Sequence, residues 1–511
     1  MNCRTRSLPL CVFGAGILTM LVVGAVSDAR AWATITVNSL ADPGKPGICA
    51  LRDAITAANT MIATNGCIAG KGHDTIQFSI TGTITLTETL PEITDSNLTI
   101  NGPASPGITI SGGGKVQVMQ ATSGATLSLI NLTISDGLGE SEFDAGGIVN
   151  EGTLTVTNCK FLGNSGGNFV TFGGAGAILN QAALRINNSS FSDNNAGADF
   201  GVVGGILNQG TLSVTNSTFS GNKTSFNGAA TGAIDNSGTL TVIGSTFSDN
   251  FGGGDGAIGN GGTATIYNST FSRNAGGANE GSGFAGGIGN GNQAEVIDST
   301  FSGNTAAGVS GGGVLNGIGG TLKVTNSTFE NPNDIGNFGE ARLKGTIVAG
   351  NCTIFPGNGF ISNTLPITDL GYNISSDDSC GFTATGSLNN TDPMLDPAGL
   401  SNNGGLTQTI ALLMGSPAID AIPLASCVDQ AANPLATDQR GFPRPDAEEN
   451  LCDIGAYEFQ DFAGQPGTRS CRGVSVSVLT HQFRNIKAAA SALRFPSVKA
   501  LQAAITVFCR A

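Results

Sequence analysis

Acid–base catalysis needs a carboxylate, histidine or amine set beside a partner of opposed protonation, and few residues in the middle of this chain qualify. Residues 131–330 contain no histidine, and their cations are only Lys160, Arg185, Lys223, Arg273 and Lys323. A histidine-based site is therefore excluded from this stretch, and the five cations fall at unrelated points of the local pattern. The acids offer more. Asp235 and Asp249 are candidate carboxylates for glycoside cleavage, which in its inverting form needs two carboxyls roughly 6.5–9.5 Å apart. Asp193 and Asp249 share one pattern position with Gly221 between them, and Arg273 takes that position next, so Asp249 is expected in a surface ion pair. Asp235 stands alone in its column. Later in the chain Asp438, Arg440, Asp453 and Glu458 form the densest charged group. Their oxygens suit calcium or a sugar; an ion-paired network locking the end of the fold is the competing expectation. The run Gly252–Asp255 holds part of a calcium-roll pattern without the full nonapeptide. Calcium is the one cofactor worth considering.

These residues must be positioned by a repeat. The phrase Gly-(Gly/Ala)-(Ile/Val)-x-Asn occurs at Gly146–Asn150, Gly176–Asn180, Gly204–Asn208, Gly232–Asn236, Gly256–Asn260, Gly286–Asn290 and Gly312–Asn316, every 24 to 30 residues. A second phrase, Asn-Ser-Thr-Phe-Ser-Gly-Asn and variants, alternates with it and carries Phe161, Phe191, Phe219, Phe247, Phe271, Phe301 and Phe329. In Thr211–Asn222, Leu212 and Val214 alternate with polar neighbours, the two-residue period of a strand with one wet face. Three short strands per repeat, joined by Asn/Gly corners, predict one turn of a parallel β-solenoid with like positions about 4.8 Å apart. No helical pattern separates the strands, so βαβ units are excluded. Asn tolerates left-handed backbone at corners and can bond the next Asn in a ladder. Three such columns are expected: one through Asn158, Asn188 and Asn216, one from Asn164 to Asn304, and one formed by the last residues of the Gly-rich phrase. The phenylalanines are expected to stack inside.

Composition fits this architecture. Gly accounts for 77 of 511 residues, and a solenoid's length does not count domains. The net charge of −14 argues against nucleic acid or an anionic membrane as partner of the main body. Residues 1–33 read as a secretory signal: Arg4 and Arg6 precede an apolar stretch from Leu8 to Val26, then small-residue cleavage sites. No later stretch is long and apolar enough to span a bilayer. Cysteine spacing predicts four local disulfides, Cys49–Cys67, Cys352–Cys380, Cys427–Cys452 and Cys471–Cys509. Cys3 and Cys11 leave with the signal, and Cys159 is left over as a small, reduced, buried residue.

The two ends differ from the middle. Leu51, Ile55 and Ala58 have helical spacing, predicting a short capping helix. The string Cys49-Ala50-Leu51-Arg52-Asp53-Ala54 resembles the CSLREA domain, with Ala for Ser and Asp for Glu. That resemblance covers about seventy residues and implies the start of a bacterial surface β-helix, with no known reaction. Toward the other end stand Asn402–Thr409, Gly415-Ser416-Pro417-Ala418-Ile419-Asp420, Thr437-Asp438-Gln439-Arg440-Gly441 and Cys452–Phe459. In this order they resemble a choice-of-anchor Q domain, which implies an exported surface protein with an interchangeable C-terminal anchoring module. The middle is similar to pectin-lyase-like β-helix proteins. After Pro466 the chain has seven Lys/Arg and no Asp or Glu. Helical spacing in Ile486–Leu493 and Val498–Phe508 predicts a basic two-helix hairpin.

The organisation read from these signals is a signal peptide (1–33), an N-terminal cap and first coils (34–103), repeats (104–390), terminal coils and cap (391–462) and a helical module (463–511). The fold class is all-β, a single right-handed parallel β-helix with an N-terminal capping helix and a small α-helical C-terminal module. The function read is a structural or adhesion protein, monomeric, secreted or at the bacterial cell surface, contacting glycan or envelope material. Exposed Phe on the Gly/Phe-rich inserts (Phe169–Gly174, Ala198–Val203, Phe226–Ala230, Asn279–Phe284) offers ring contacts. The alternative is a polysaccharide lyase or glycoside hydrolase on the same scaffold.

Overall fold

The computed structural model describes residues 32–104, 107–139, 144–166, 174–196, 203–224, 230–277, 284–307, 311–354, 365–446, 450–460, 468–492 and 497–509. The expected signal, but for its last two residues Trp32 and Ala33 (Ala33 opens the first strand), and nearly all of the Gly/Phe-rich inserts lie outside them. The chain winds into a parallel β-helix walled by three stacked sheets of 13, 12 and 10 strands, each joined only to its own kind in neighbouring coils. In the first sheet Thr153–Thr157, Ala183–Asn187 and Thr211–Thr215 pair residue on residue. Their alternating burial puts Leu154, Leu184 and Leu212 inside and leaves the intervening polar residues at the surface. The second sheet repeats Lys160–Leu162, Ser190–Ser192 and Thr218–Ser220, with the phenylalanine of each strand fully buried. The third repeats Ile148–Asn150, Ile178–Asn180 and Ile206–Asn208.

Register turns each repeated residue into a column. Phe161 to Phe329 form an interior stack with ring centroids 4.6–4.9 Å apart and planes within 8° of parallel. The closing Asn of the Gly-rich phrase forms an amide ladder, Nδ2 of each donating to Oδ1 of the next, from Asn150–Asn180 at 2.7 Å to Asn316–Asn337 at 2.9 Å. A second ladder runs through Asn164, Asn194, Asn222, Asn250, Asn274, Asn304 and Asn331, and ends on the carboxylate of Asp334 at 2.9 Å. These buried amides spend both donors and acceptors on protein, which burial requires. The third Asn column works differently. Asn158, Asn188, Asn216, Asn268 and Asn326 occupy left-handed backbone with φ between 43° and 54°, making the corner by conformation rather than by a ladder. A further column was not foreseen: each of Ser189, Ser217, Ser245, Ser269, Ser299 and Ser327 accepts the backbone N–H of its counterpart one coil earlier, at 3.1–3.2 Å. Cys159 heads this column, unpaired and buried, its thiol pushed up to about 11 by burial.

The stack is closed at its N-terminal end by the helix Leu51–Thr60, whose Leu51, Ala54, Ile55, Ala57 and Ala58 are buried and which stops at Met61 in left-handed conformation. Arg52 clamps this cap, binding Asp42 through Nε at 2.8 Å and the carbonyls of Thr89 and Glu88 at 2.8 and 2.7 Å. Asp53 instead accepts Asn65 Nδ2 at 2.6 Å, so the two charges serve the cap separately.

The described residues of the segment 391–462, expected to add terminal coils, contribute no strand to the three sheets. They fold back as a strap over the corner between the first and second sheets, with one short antiparallel pair of their own, Ile422–Pro423 against Leu451–Cys452. Gln439 donates to the hydroxyls of Thr270 and Thr407, both at 2.9 Å, and accepts from Thr300 at 2.6 Å; Ala456 N–H donates to Thr328 at 3.0 Å. Thr270, Thr300 and Thr328 are one column on successive coils. The terminal module has three helices where two were expected: Cys471–Gln482, Ile486–Ala492 and Val498–Phe508. The first, with three Val, two Ser and Gly473, lacks helix propensity; tertiary packing around Leu479, Ala489, Ala490, Leu501 and Ile505 holds it. All four expected disulfides are formed. Among the described residues no helix is long and apolar enough to cross a membrane.

Because each coil contacts only its neighbours, damage should stay local. Phe219→Ala is expected to cost about 3–5 kcal/mol of unfolding free energy by denaturant titration. Amide exchange should rise most in the coils bearing Phe191 and Phe247. A rise spread evenly over the whole stack would contradict the nearest-neighbour account.

Candidate functional site

The middle residue of each third-sheet strand points away from the interior, and in register these residues read Val149, Leu179, Leu207, Asp235, Gly259, Gly289 and Leu315. The first three are buried with Ala145, Ala175 and Val203 in an apolar cluster separate from the main core. At Asp235 the column changes character. An acid and two glycines replace bulky side chains, and a groove of about 360 Å³ opens over them, walled by Phe284 and Leu315 and floored by Asn and Gly turns.

A second carboxylate enters this groove from outside the column. Asp255 sits in the corner that precedes strand Ile258–Asn260, and its side chain folds over both glycines. A β-carbon at Gly289 would lie within 2.3 Å of three atoms of the Asp255 carboxylate. One at Gly259 would lie 3.1 Å from Asp255 Oδ2, 3.5 Å from Asp235 Oδ2 and 2.5 Å from Thr231 Oγ1. The two glycines are thus the space the carboxylates occupy, and the acids converge across the width of one residue. Asp255 Oδ1 accepts the N–H of Ala285 at 2.9 Å, and Asp235 Oδ2 accepts the hydroxyl of Thr231 at 3.2 Å. Both side chains are half-buried.

Their protonation follows from this placement. Burial pushes Asp255 up to about 7, opposed by the Ala285 N–H and reinforced by the charge of Asp235. Burial pushes Asp235 up to about 6, opposed by Thr231. Near neutral pH the pair therefore holds about one proton between two carboxyls, the condition under which one can give a proton while the other takes one.

The other sequence candidates have structural partners. Asp249 pairs with Arg273 at 2.8 Å on the exposed surface, as expected of neighbours in one column. Asp438, Arg440, Asp453 and Glu458 come together within the strap, as a buried ion-paired network and not an open cation or sugar site. Arg440 binds Asp438 at 2.7 Å and lies 3.7 Å over the Tyr457 ring. Glu458 accepts Asp453 N–H at 3.0 Å, and Asp453 accepts the N–H groups of Asp420 and Phe459. Two residues missed by sequence complete the network: Arg444, 3.2 Å from Glu458, and Asp298 of the stack, which Arg444 approaches at 3.4 Å. Among the described residues no three His, Cys, Asp or Glu side chains are grouped to hold a metal ion. Asp255 was missed because it belongs to no column. The available signal was Gly at both positions following Asp235 in its column, a gap that some side chain had to fill. No protein-family model matches this sequence, and no curated protein matches it either.

The strap network makes stability depend on pH. Burial holds Asp298 up at about 8 and Glu458 at about 7, although Arg444 pulls both down. A carboxyl raised on folding stabilises the native state fully below its ordinary value near 4 and loses that contribution as pH rises through its folded value. The unfolding midpoint should therefore fall between about pH 4 and pH 8, and less steeply in Asp298→Asn. Parallel slopes for the two proteins would remove Asp298 from the account.

Proposed function

We propose that this chain is an exported rod that binds anionic envelope material through its C-terminal module and presents its stack as an adhesive surface. The distribution of charge carries this reading. Arg469, Arg472, Arg484, Lys487 and Lys499 are all exposed. No acid occurs from Gly467 to Ala511, while the whole chain is at −14. A compact cationic module on an acidic body is steered to anionic polymers while the body is repelled by them. Four disulfides in separate parts of the chain suit an oxidising compartment. The likeness of 391–462 to a choice-of-anchor Q domain points the same way. In this reading the columns of the stack serve length and rigidity, and the terminal module serves attachment.

Attachment by charge is sensitive to salt. Raising salt should release the protein from washed cells into the medium, and reversing Arg472, Arg484, Lys487 and Lys499 to Glu should do so at low salt. Retention of the charge-reversed protein on cells would remove the module from the attachment.

A further inference from the structure

We propose that the N-terminal cap is a membrane-docking face, which lays a patch of apolar side chains and two lysines on the surface of an anionic phospholipid bilayer. Trp32, Met61, Ile62 and Ile68 are 76%, 57%, 65% and 57% exposed, and Ile48 joins them at 38%. They come from three stretches of chain that meet in one patch. The Trp32 ring stacks on His73, and a β-carbon on the neighbouring Gly72 would lie 3.2 Å from the Met61 methyl group. Ile62 and Ile68 flank a turn closed by Thr64 and Cys67, whose paired backbone hydrogen bonds measure 3.2 and 2.8 Å. That turn rests on Gly47 and Ile48, which a β-carbon on Gly66 would approach to 2.7 Å. Exposed apolar side chains scattered singly need no explanation, but a contiguous group at one end of a rod marks a contact.

Charge identifies what the patch meets. From Trp32 to Thr87 the acids are Asp42, Asp53 and Asp74, and each is spent within the cap. Asp42 holds Arg52 at 2.8 Å, Asp53 accepts Asn65 at 2.6 Å, and Asp74 accepts the N–H groups of Lys71 and Gly72 at 2.8 and 3.3 Å. Lys45 and Lys71 stay exposed at the patch: Lys45 opens the turn that ends at Ile48, and Lys71 adjoins Gly72. The cap therefore turns apolar groups and positive charge outward on a chain of net charge −14. An anionic headgroup layer takes that combination, with the apolar side chains entering the interface and the ammonium groups at the phosphates. A second copy of the chain fits poorly, since a twofold contact through the patch would bring its lysines against themselves. The preceding sequence agrees. Leu8–Val26 is nineteen residues without a charge, enough to cross a bilayer, and only six residues carry the chain from Val26 to Trp32. Six residues span at most about 20 Å, so while that stretch occupies a membrane the cap stands at its surface. A contact of this size is reversible, so it orients the rod without holding it against washing.

The exported protein, carrying Glu at Arg472, Arg484, Lys487 and Lys499 so that the C-terminal module contributes nothing, should float with phosphatidylglycerol vesicles in a density gradient. It should float far less with phosphatidylcholine vesicles. Ile62→Ser combined with Ile68→Ser should weaken partitioning on the order of 10²-fold, about tenfold for each apolar side chain. Lys45→Glu combined with Lys71→Glu should weaken it on the order of tenfold or more, and only on phosphatidylglycerol. All four positions are exposed, so far-ultraviolet dichroism and the unfolding midpoint should not move. No flotation, flotation that survives the isoleucine changes, or equal flotation with both lipids would each overturn the proposal. Self-association lost in the isoleucine variant, without vesicle binding, would assign the patch to a second copy of the chain and overturn it too. None of these outcomes touches attachment by the C-terminal module, which is read on cells with the cap intact.

Discussion

Parallel pairing in register puts every side chain of a coil against its own counterpart one strand spacing away, and the rest of the structure answers to that constraint. A residue is admitted to a column only if it tolerates a copy of itself at about 4.8 Å. Phe tolerates it by stacking, Asn and Ser by donating along the column, and Ile, Leu and Val by packing. Charge does so only at the wet surface, as where Lys323 lies beside Arg342: two like charges at that spacing repel by about 3–4 kcal/mol at an effective dielectric of 20. The charged fraction of 12% follows from this rule. Where acids do appear in a column they are isolated, as Asp193 is from Asp249 by Gly221, or answered, as Asp249 is by Arg273.

Much of this was legible because a column is a periodic signal. The Phe stack, two Asn ladders, the left-handed corners and the capping helix each follow from a residue type recurring at one point of the repeat, or from simple helical spacing. The Ser ladder was equally periodic, but its role as a backbone acceptor depends on which way a small hydroxyl turns, which spacing does not encode. The failures share another cause. Asp255 reaches Asp235 from a corner, Gln439 reaches Thr270 and Thr300 from well over a hundred residues away, and Arg444 reaches Asp298 through the same fold-back. These contacts join segments with no common period. The helix Cys471–Gln482 failed for a different reason, since packing there overrides weak local propensity.

The strap places a concentration of buried charge on a body that otherwise excludes it. Among the described residues Asp298 is the stack acid paired with this network, at a corner that other coils fill with Asn or Gly. Its partner Arg444 also donates to the carbonyls of Asp453 and Gly455 at 2.8 and 2.9 Å, so the guanidinium fastens both the stack and the returning chain. Breaking one member of such a network leaves the others buried and unanswered. The strap is therefore tied to one stretch of coils by specific groups, and of the hydroxyl column it bonds Thr270, Thr300 and Thr328.

The amide ladders also have a direction. Every Nδ2 in the column from Asn164 to Asn304 donates one hydrogen to the Oδ1 of the following Asn and the other to a carbonyl of the preceding coil, and the last, Asn331, meets the Asp334 carboxyl. Dipoles aligned head to tail polarise one another, so the column carries an axial polarity, positive toward its C-terminal end, and the Asp334 carboxyl, which burial pushes up to about 7, accepts the final donor. Two such rods lying side by side would gain by opposing their axes, and a coil inserted in the middle must carry the same Asn to avoid splitting the line into two shorter dipoles.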